Sequence, residues 1–253
     1  MSDIKIAIWD IETNFNIVGS FSLYPESINY DNILQEWYII CGCWKILNEP
    51  ETHSVSVIDD PKRFKKDHTD DYHVVKTLRE MLEDVDVLVH HFGDRFDIKK
   101  LNSRLIYHKL PPLPKILTVD TVKEVKKIAA FNSNKLDYLS KHLNGEGKLP
   151  TEKGLWLKVL MGDKQAVQDM VDYCVVDVKR LEDLYLRLLP YMKSHPVVSE
   201  PDTMNCPKCN SKSTVKDGVR LRATGARYQA YKCKDCGANF SDTKTLVRPQ
   251  TKL

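Results

Sequence analysis

Ile4, Ile6 and Ile8 alternate with Lys5, Ala7 and Trp9, and the alternation runs straight into Asp10-Ile11-Glu12-Thr13. Residues two apart on a strand point the same way, so Asp10 and Glu12 continue the isoleucine face. An apolar strand that ends in two like charges must stop at a sheet edge that reaches solvent or a cation. Buried beside apolar neighbours, both carboxyls would be forced towards protonation. Oxygen-only carboxylate groups suit hard ions such as magnesium or manganese. A solvated turn is the ordinary alternative, and two residues alone do not decide between them.

Further along, strand and helix patterns alternate. Trp37–Ile46 and His53–Ile58 are dense in β-formers and are separated by the polar turn Asn48-Glu49-Pro50-Glu51, as in a hairpin. Val74, Val75, Leu78, Met81 and Leu82 recur at helical spacing, and Val85–Val89 is a short continuous apolar run typical of a buried strand. Asp97 opens a second helical stretch that stops near Pro111-Pro112, and a strand over Ile116–Val119 ends at Asp120-Thr121. Helices are expected around Val122–Ala129, around Leu136–His142, and from a cap at Asp163 as far as Pro190. The last of these carries Tyr173 and Asp177, four residues apart and therefore on one side. Asn14–Glu36 reads as a polar loop, and 59–71 as a charged one. The aromatics Phe15, Phe21, Tyr24 and Tyr30 are expected to pack within their loop, with stacking on nucleotide bases as the alternative.

The C-terminal end is of another kind. Residues 201–253 carry 11 Lys+Arg against 4 Asp+Glu, a net of +7, whereas residues 1–200 carry 27 against 31. A basic module on a slightly acidic body points to a polyanionic partner. Cys206-Pro207-Lys208-Cys209 and Cys233-Lys234-Asp235-Cys236 are two C-x-x-C pairs 23 residues apart, the pattern of a closed four-thiolate zinc site. So small a module cannot bury enough core alone, so zinc would fold it. The other three cysteines, Cys41, Cys43 and Cys174, sit in apolar surroundings, and an odd total argues against a disulfide framework. Lys208, Arg220, Arg222, Arg227, Lys232 and Lys234 are the candidates for phosphate contact, a solvated face or a protein-docking surface being the alternative. Pro190, Pro196 and Pro201 read as an extended linker.

Asp10 and Glu12, then Phe96-Asp97 after a buried strand, then Tyr173-x-x-x-Asp177 occur in the order and spacing of the DEDD motifs, and over residues 1 to about 192 the chain resembles the DEDD family of 3′-to-5′ exonucleases. The tyrosine places the resemblance in the DEDDy branch, which is similar to the exonuclease domains of family B DNA polymerases. Many relatives have an Asn four residues before the motif's Phe, where this chain has Phe92. His91 could fill a polar role there, though a lone histidine is more often structural.

The resemblance implies an α/β fold, a ribonuclease H-like mixed sheet flanked by helices, with a small C-terminal zinc-ribbon domain. The expected divisions are an exonuclease domain over 1–192, a linker over 193–204, the ribbon over 205–242 and a basic tail over 243–253. It also implies two Mg²⁺ or Mn²⁺ ions: Asp10 bridging, Glu12 and Asp177 completing one site, Asp97 acting through the second, and Tyr173 holding the attacking water. One structural Zn²⁺ would accompany them. The expected activity is 3′-to-5′ hydrolysis of DNA, single-stranded or at 3′ ends, with a replication or repair protein as a further partner. An RNA exonuclease, a structure-specific endonuclease and a non-catalytic recruitment protein are the rivals. With no signal peptide and no apolar run of transmembrane length, the expected location is cytoplasmic, away from membranes.

Overall fold

The computed structural model describes residues 4–145, 154–199 and 203–247. The strand expected from the alternating isoleucines is β1 (Ile6–Thr13). A small hairpin follows, β2 (Ile17–Val18) against β3 (Ile33–Gln35), and then the longer pair β4 (Ile39–Ile46) and β5 (His53–Ser56). Helices α1 (Pro61–Lys66) and α2 (Tyr72–Leu82) lead into β6 (Val87–His90), and α3 (Asp97–Tyr107) leads into β7 (Leu117–Asp120). Next come α4 (Thr121–Ile128), α5 (Leu136–Asn144), α6 (Leu155–Leu160) and α7 (Lys164–Leu188). The chain ends in β8 (Thr214–Leu221), β9 (Arg227–Cys233) and β10 (Asn239–Val247).

The chain divides into two compact units. One runs to Lys123 and from Phe131 to Glu182; the other takes Glu124–Ala130 and everything from Asp183. The first unit is built on a five-stranded sheet in the order β5-β4-β1-β6-β7, with β1, β6 and β7 parallel and β4 antiparallel to β1. Central position explains the composition of β1: Ile6, Ala7, Ile8, Trp9 and Ile11 are all buried, so both faces are covered. Helix α2 covers the sheet through Val74, Val75, Leu78 and Leu82. A Cβ on Gly42 would lie 2.7 Å from Leu78 Cδ2, so only glycine lets β4 accept this helix so closely. Full burial of Leu78 is worth about 2 kcal/mol.

The second unit carries a three-stranded antiparallel sheet in the order β10-β9-β8. Among the described residues, only Ala238 and part of Phe240 supply further apolar packing around its cysteines, too little to hold a fold unaided.

Several details depart from the sequence reading. Residues 14–36 contain the β2–β3 hairpin, and Phe21, Tyr24 and Tyr30 project from it fully or largely exposed, so loop packing is not their role. The charged stretch 59–71 holds α1, which starts with Pro61 as its first residue and is capped by Asp60 accepting from the Arg63 N–H. Helix α6 was not anticipated. The segment expected as a free linker is tied down, because the Val198 N–H donates to Pro207 O (2.8 Å) and His195 bonds Tyr185 (2.7 Å). Strand β10 runs on to Val247, beyond the ribbon limit expected at 242. Glu146-Gly147, Pro201 and tail residues 248–253 lie outside the described residues. Among the described residues no helix is long and apolar enough to cross a membrane.

Candidate active site and cysteine cluster

β1 delivers Asp10 and Glu12 at its C-terminal end, and a bulge between Glu12 and Thr13 breaks the register immediately afterwards. Helix α7, held down by Val167, Met170, Val171, Cys174 and Val178, brings Asp177 to the same place. One carboxylate oxygen from each of Asp10, Glu12 and Asp177 lies within 4.8 Å of the others. Burial pushes the Asp10 carboxyl well above its usual range, and the charges of Asp97, Glu12 and Asp177 push it the same way. Asp97, the first residue of α3, is 4% exposed and is not one of the three converging groups. Burial raises its carboxyl to about 6, against the pull of the His90 ring and of the N–H groups of Asp97 and Ile11. Tyr173 is buried one helical turn before Asp177, and Arg180 sits 3.2 Å from Asp177 on the other side. Three converging acids with a fourth close enough to bear on Asp10, all offering only oxygen, are the kind of donor set that a hard divalent cation satisfies.

Behind Asp97 the end of β6 is fixed by a polar network centred on β7. The Asp120 carboxylate accepts from the N–H groups of Phe92 and Val122, both at 3.0 Å. His90, fully buried, accepts from the Gly93 N–H at Nδ1 (3.0 Å) and sets Nε2 3.1 Å from Asp94, which Lys123 also binds. A Cβ at position 93 would meet the His90 ring at 2.5 Å. His91 lies between two partners, with Nε2 2.8 Å from Asn134 O and Nδ1 2.8 Å from the Thr121 hydroxyl, which also bonds the His90 carbonyl at 3.0 Å. Burial lowers its pKa, so the ring is neutral and acts as a bridge. Phe92 has φ 69°, a region that Asn enters far more readily than Phe. On the opposite side Asn14 bonds the Tyr38 hydroxyl (3.1 Å), and Trp156 Nε1 donates to Thr13 O (3.1 Å), fastening the chain where it leaves β1.

Three buried thiols adjoin the carboxylates. In the β1–β4 register Cys43 faces Asp10 and Cys41 faces Glu12, while the Cys174 thiol lies 3.5 Å from the Asp10 carbonyl oxygen. Their apolar setting is legible in the sequence; their proximity to the acids is not.

In the second unit the sulfurs of Cys206, Cys209, Cys233 and Cys236 all lie within 4.8 Å of one another, with Cys206–Cys236 at 3.6 Å and Cys209–Cys233 at 3.7 Å. A tetrahedron with metal–sulfur bonds of about 2.3 Å has edges of about 3.8 Å, so the cluster fits a zinc ribbon. Burial raises the Cys233 thiol, but N–H groups of Cys236 and Asp235 and the thiols of Cys209 and Cys236 bring it down to about 7. Arg220, Arg222, Arg227, Lys232 and Lys234 are exposed. Lys208 is placed differently: its ammonium donates to the carbonyls of Leu189 (2.9 Å) and Pro190 (3.0 Å), just past the end of α7.

Comparisons with known proteins agree with this architecture. The sequence model of the RNase H superfamily matches residues 51–189. The structure is similar to that of the family B DNA polymerase from the hyperthermophilic archaeon Pyrobaculum calidifontis, with a TM-score of 0.55 and 15% identity over 75% of this chain. The match spans 25% of that polymerase chain. No curated protein matches in sequence.

Proposed function

Since the chain belongs to the RNase H superfamily, we propose that it is a divalent-metal-dependent 3′-to-5′ exonuclease acting on single-stranded DNA or DNA 3′ ends. The observation that carries this reading is the convergence of Asp10, Glu12 and Asp177 within 4.8 Å, with the Asp97 charge bearing on Asp10. Asp10, Glu12 and Asp177 would hold the ions directly, and Asp97 would complete the set. A pair of Mg²⁺ or Mn²⁺ ions, when bound, supplies an acidified water and charge stabilisation at the leaving oxygen. The protein's own part is placement. Asp97 and the Asp120 turn fix one wall, and the buried Tyr173 hydroxyl orients the attacking water from the same helix as Asp177. The zinc ribbon assists by electrostatic contact with phosphates through Arg220, Arg222, Arg227, Lys232 and Lys234, while Lys208 serves its helix end.

The test is a time course on end-labelled single- and double-stranded DNA and RNA, with magnesium, manganese or chelator. Stepwise release of mononucleotides from the 3′ end of DNA is expected, abolished by Asp10→Ala with binding retained. Internal cuts, preference for RNA, or undiminished cleavage by Asp10→Ala would overturn the reading.

A further inference from the structure

The first unit has a second concavity of about 460 Å³, whose lining includes Gln35, Trp37, Arg63, Asp67, Arg104 and Tyr107. It begins where the carboxylate site ends. Trp37 and Tyr38 precede β4, whose first residue, Ile39, pairs with Thr13 at the end of β1. Along α3, Asp97, Lys100, Arg104 and Tyr107 fall on one stripe about 80° wide at the helical repeat, so the helix face that starts at Asp97 leads about 15 Å to Tyr107.

The chemistry of the walls selects a ligand class. Both guanidinium groups already have carboxylate partners: Arg104 forks onto Asp71 with two bonds of 2.7 Å, and Arg63 bonds Asp70 at 2.8 Å. Each also stacks on a ring, Arg104 over Tyr107 at 4.2 Å and Arg63 over Tyr72 at 4.3 Å. A phosphate entering here would meet guanidinium groups already committed and the charges of Asp67 and Asp70. Flat groups fare better, since the ring of Tyr107, 68% exposed, and the guanidinium planes are stacking surfaces, whereas Trp37 already carries Lys100 Nζ 3.6 Å over its ring. Gln35 adds a demand, because its amide nitrogen is shut off from water with no hydrogen-bond partner among the described residues. Turning that amide onto an acceptor in the cavity would relieve the cost of an unmet donor.

We propose that this cavity is a base-binding subsite that takes an unpaired nucleobase of the strand whose end lies at the carboxylates, leaving its phosphate outside. The proposal rests on the nuclease reading for the identity of the strand, and it explains preference for single strands, because a paired base cannot enter.

The test measures binding of the full chain, with no magnesium or manganese added, to a short oligothymidylate and to the same strand with one abasic site moved along it. Loss of the base at one internal position is expected to weaken binding by about 5-fold to about 150-fold, the range for one stacked base. Tyr107→Ala and Gln35→Leu should each remove that positional dependence. Tyr107 is 68% exposed, so its truncation should leave the fold intact, checked by thermal unfolding. Equal binding of every abasic strand, absence of binding, a positional effect that survives both variants, or competition by spermidine and not by nucleosides would overturn the subsite. Cleavage with magnesium is read separately, so a protein that shows the positional effect but cuts nothing keeps the subsite and loses the nuclease.

Discussion

Asp71 and Arg104 meet in a two-point fork, Nε to Oδ2 and Nη2 to Oδ1, each at 2.7 Å, with the Asp71 side chain fully buried. The same carboxylate accepts from the Ile39 N–H at the start of β4 (2.9 Å) and from His108 (2.6 Å). One buried acid thus joins the β4 end to α3. Arg104→Ala strands that acid and should cost about 3–5 kcal/mol in urea unfolding. A loss under 1 kcal/mol would mean that His108 and the Ile39 amide suffice.

The burial of Asp97 predicts an unusual pH response. Asp97 is raised to about 6 in the folded chain from an unfolded value near 4. The folded state therefore holds more protons between those values, and metal-free stability should fall as pH rises through the window, by up to about 3 kcal/mol. The contribution is fully present below about pH 4. Urea titrations with no divalent cation added should show this slope, Asp97→Asn should reduce it, and added manganese should reverse the loss above pH 6.

Phe92 holds a left-handed backbone conformation at φ 69°. Phe92→Gly or Phe92→Asn should raise stability by about 1 kcal/mol, since both enter that region at lower cost. Gly93→Ala should do the reverse, because its Cβ would overlap the His90 ring. Thermal unfolding of the three variants checks both signs.

The ribbon should depend on its metal. Cys206→Ser or a strong chelator should release one zinc per chain and abolish the β8–β9–β10 sheet, with loss of amide-exchange protection across 214–247. Retained protection without zinc would make the cysteines dispensable.

Much of this was legible in advance because it is periodic or chemically specific. The alternating isoleucines of β1, the Tyr173/Asp177 spacing and the paired C-x-x-C elements each signal through local sequence, and each produced the expected element or cluster. What sequence did not reveal depends on contacts between distant residues. Nothing near Asp71 announces that Arg104 and His108 will surround it, and Cys41, Cys43 and Cys174 become neighbours of the acids only through strand register and helix packing. The short β2–β3 hairpin has too few residues for a period to register, and α6 is a six-residue helix with no side-chain cap. The charge of Lys208 is visible in sequence, whereas the helix-end carbonyls of Leu189 and Pro190 that it binds are not.

The alternation in β1 has a consequence for which changes of length the chain can tolerate. Trp9 and Ile11 share one side and Asp10 and Glu12 the other, so a single residue inserted between Ile8 and Trp9 would send Trp9 and Ile11 to the ligand side and bury two acids in their place. A two-residue insertion would restore the sides but carry the carboxylates about 7 Å along the strand. The exposed hairpin turn between Val18 and Ile33 is under no such constraint, and insertions and deletions should accumulate there while β1 keeps its length.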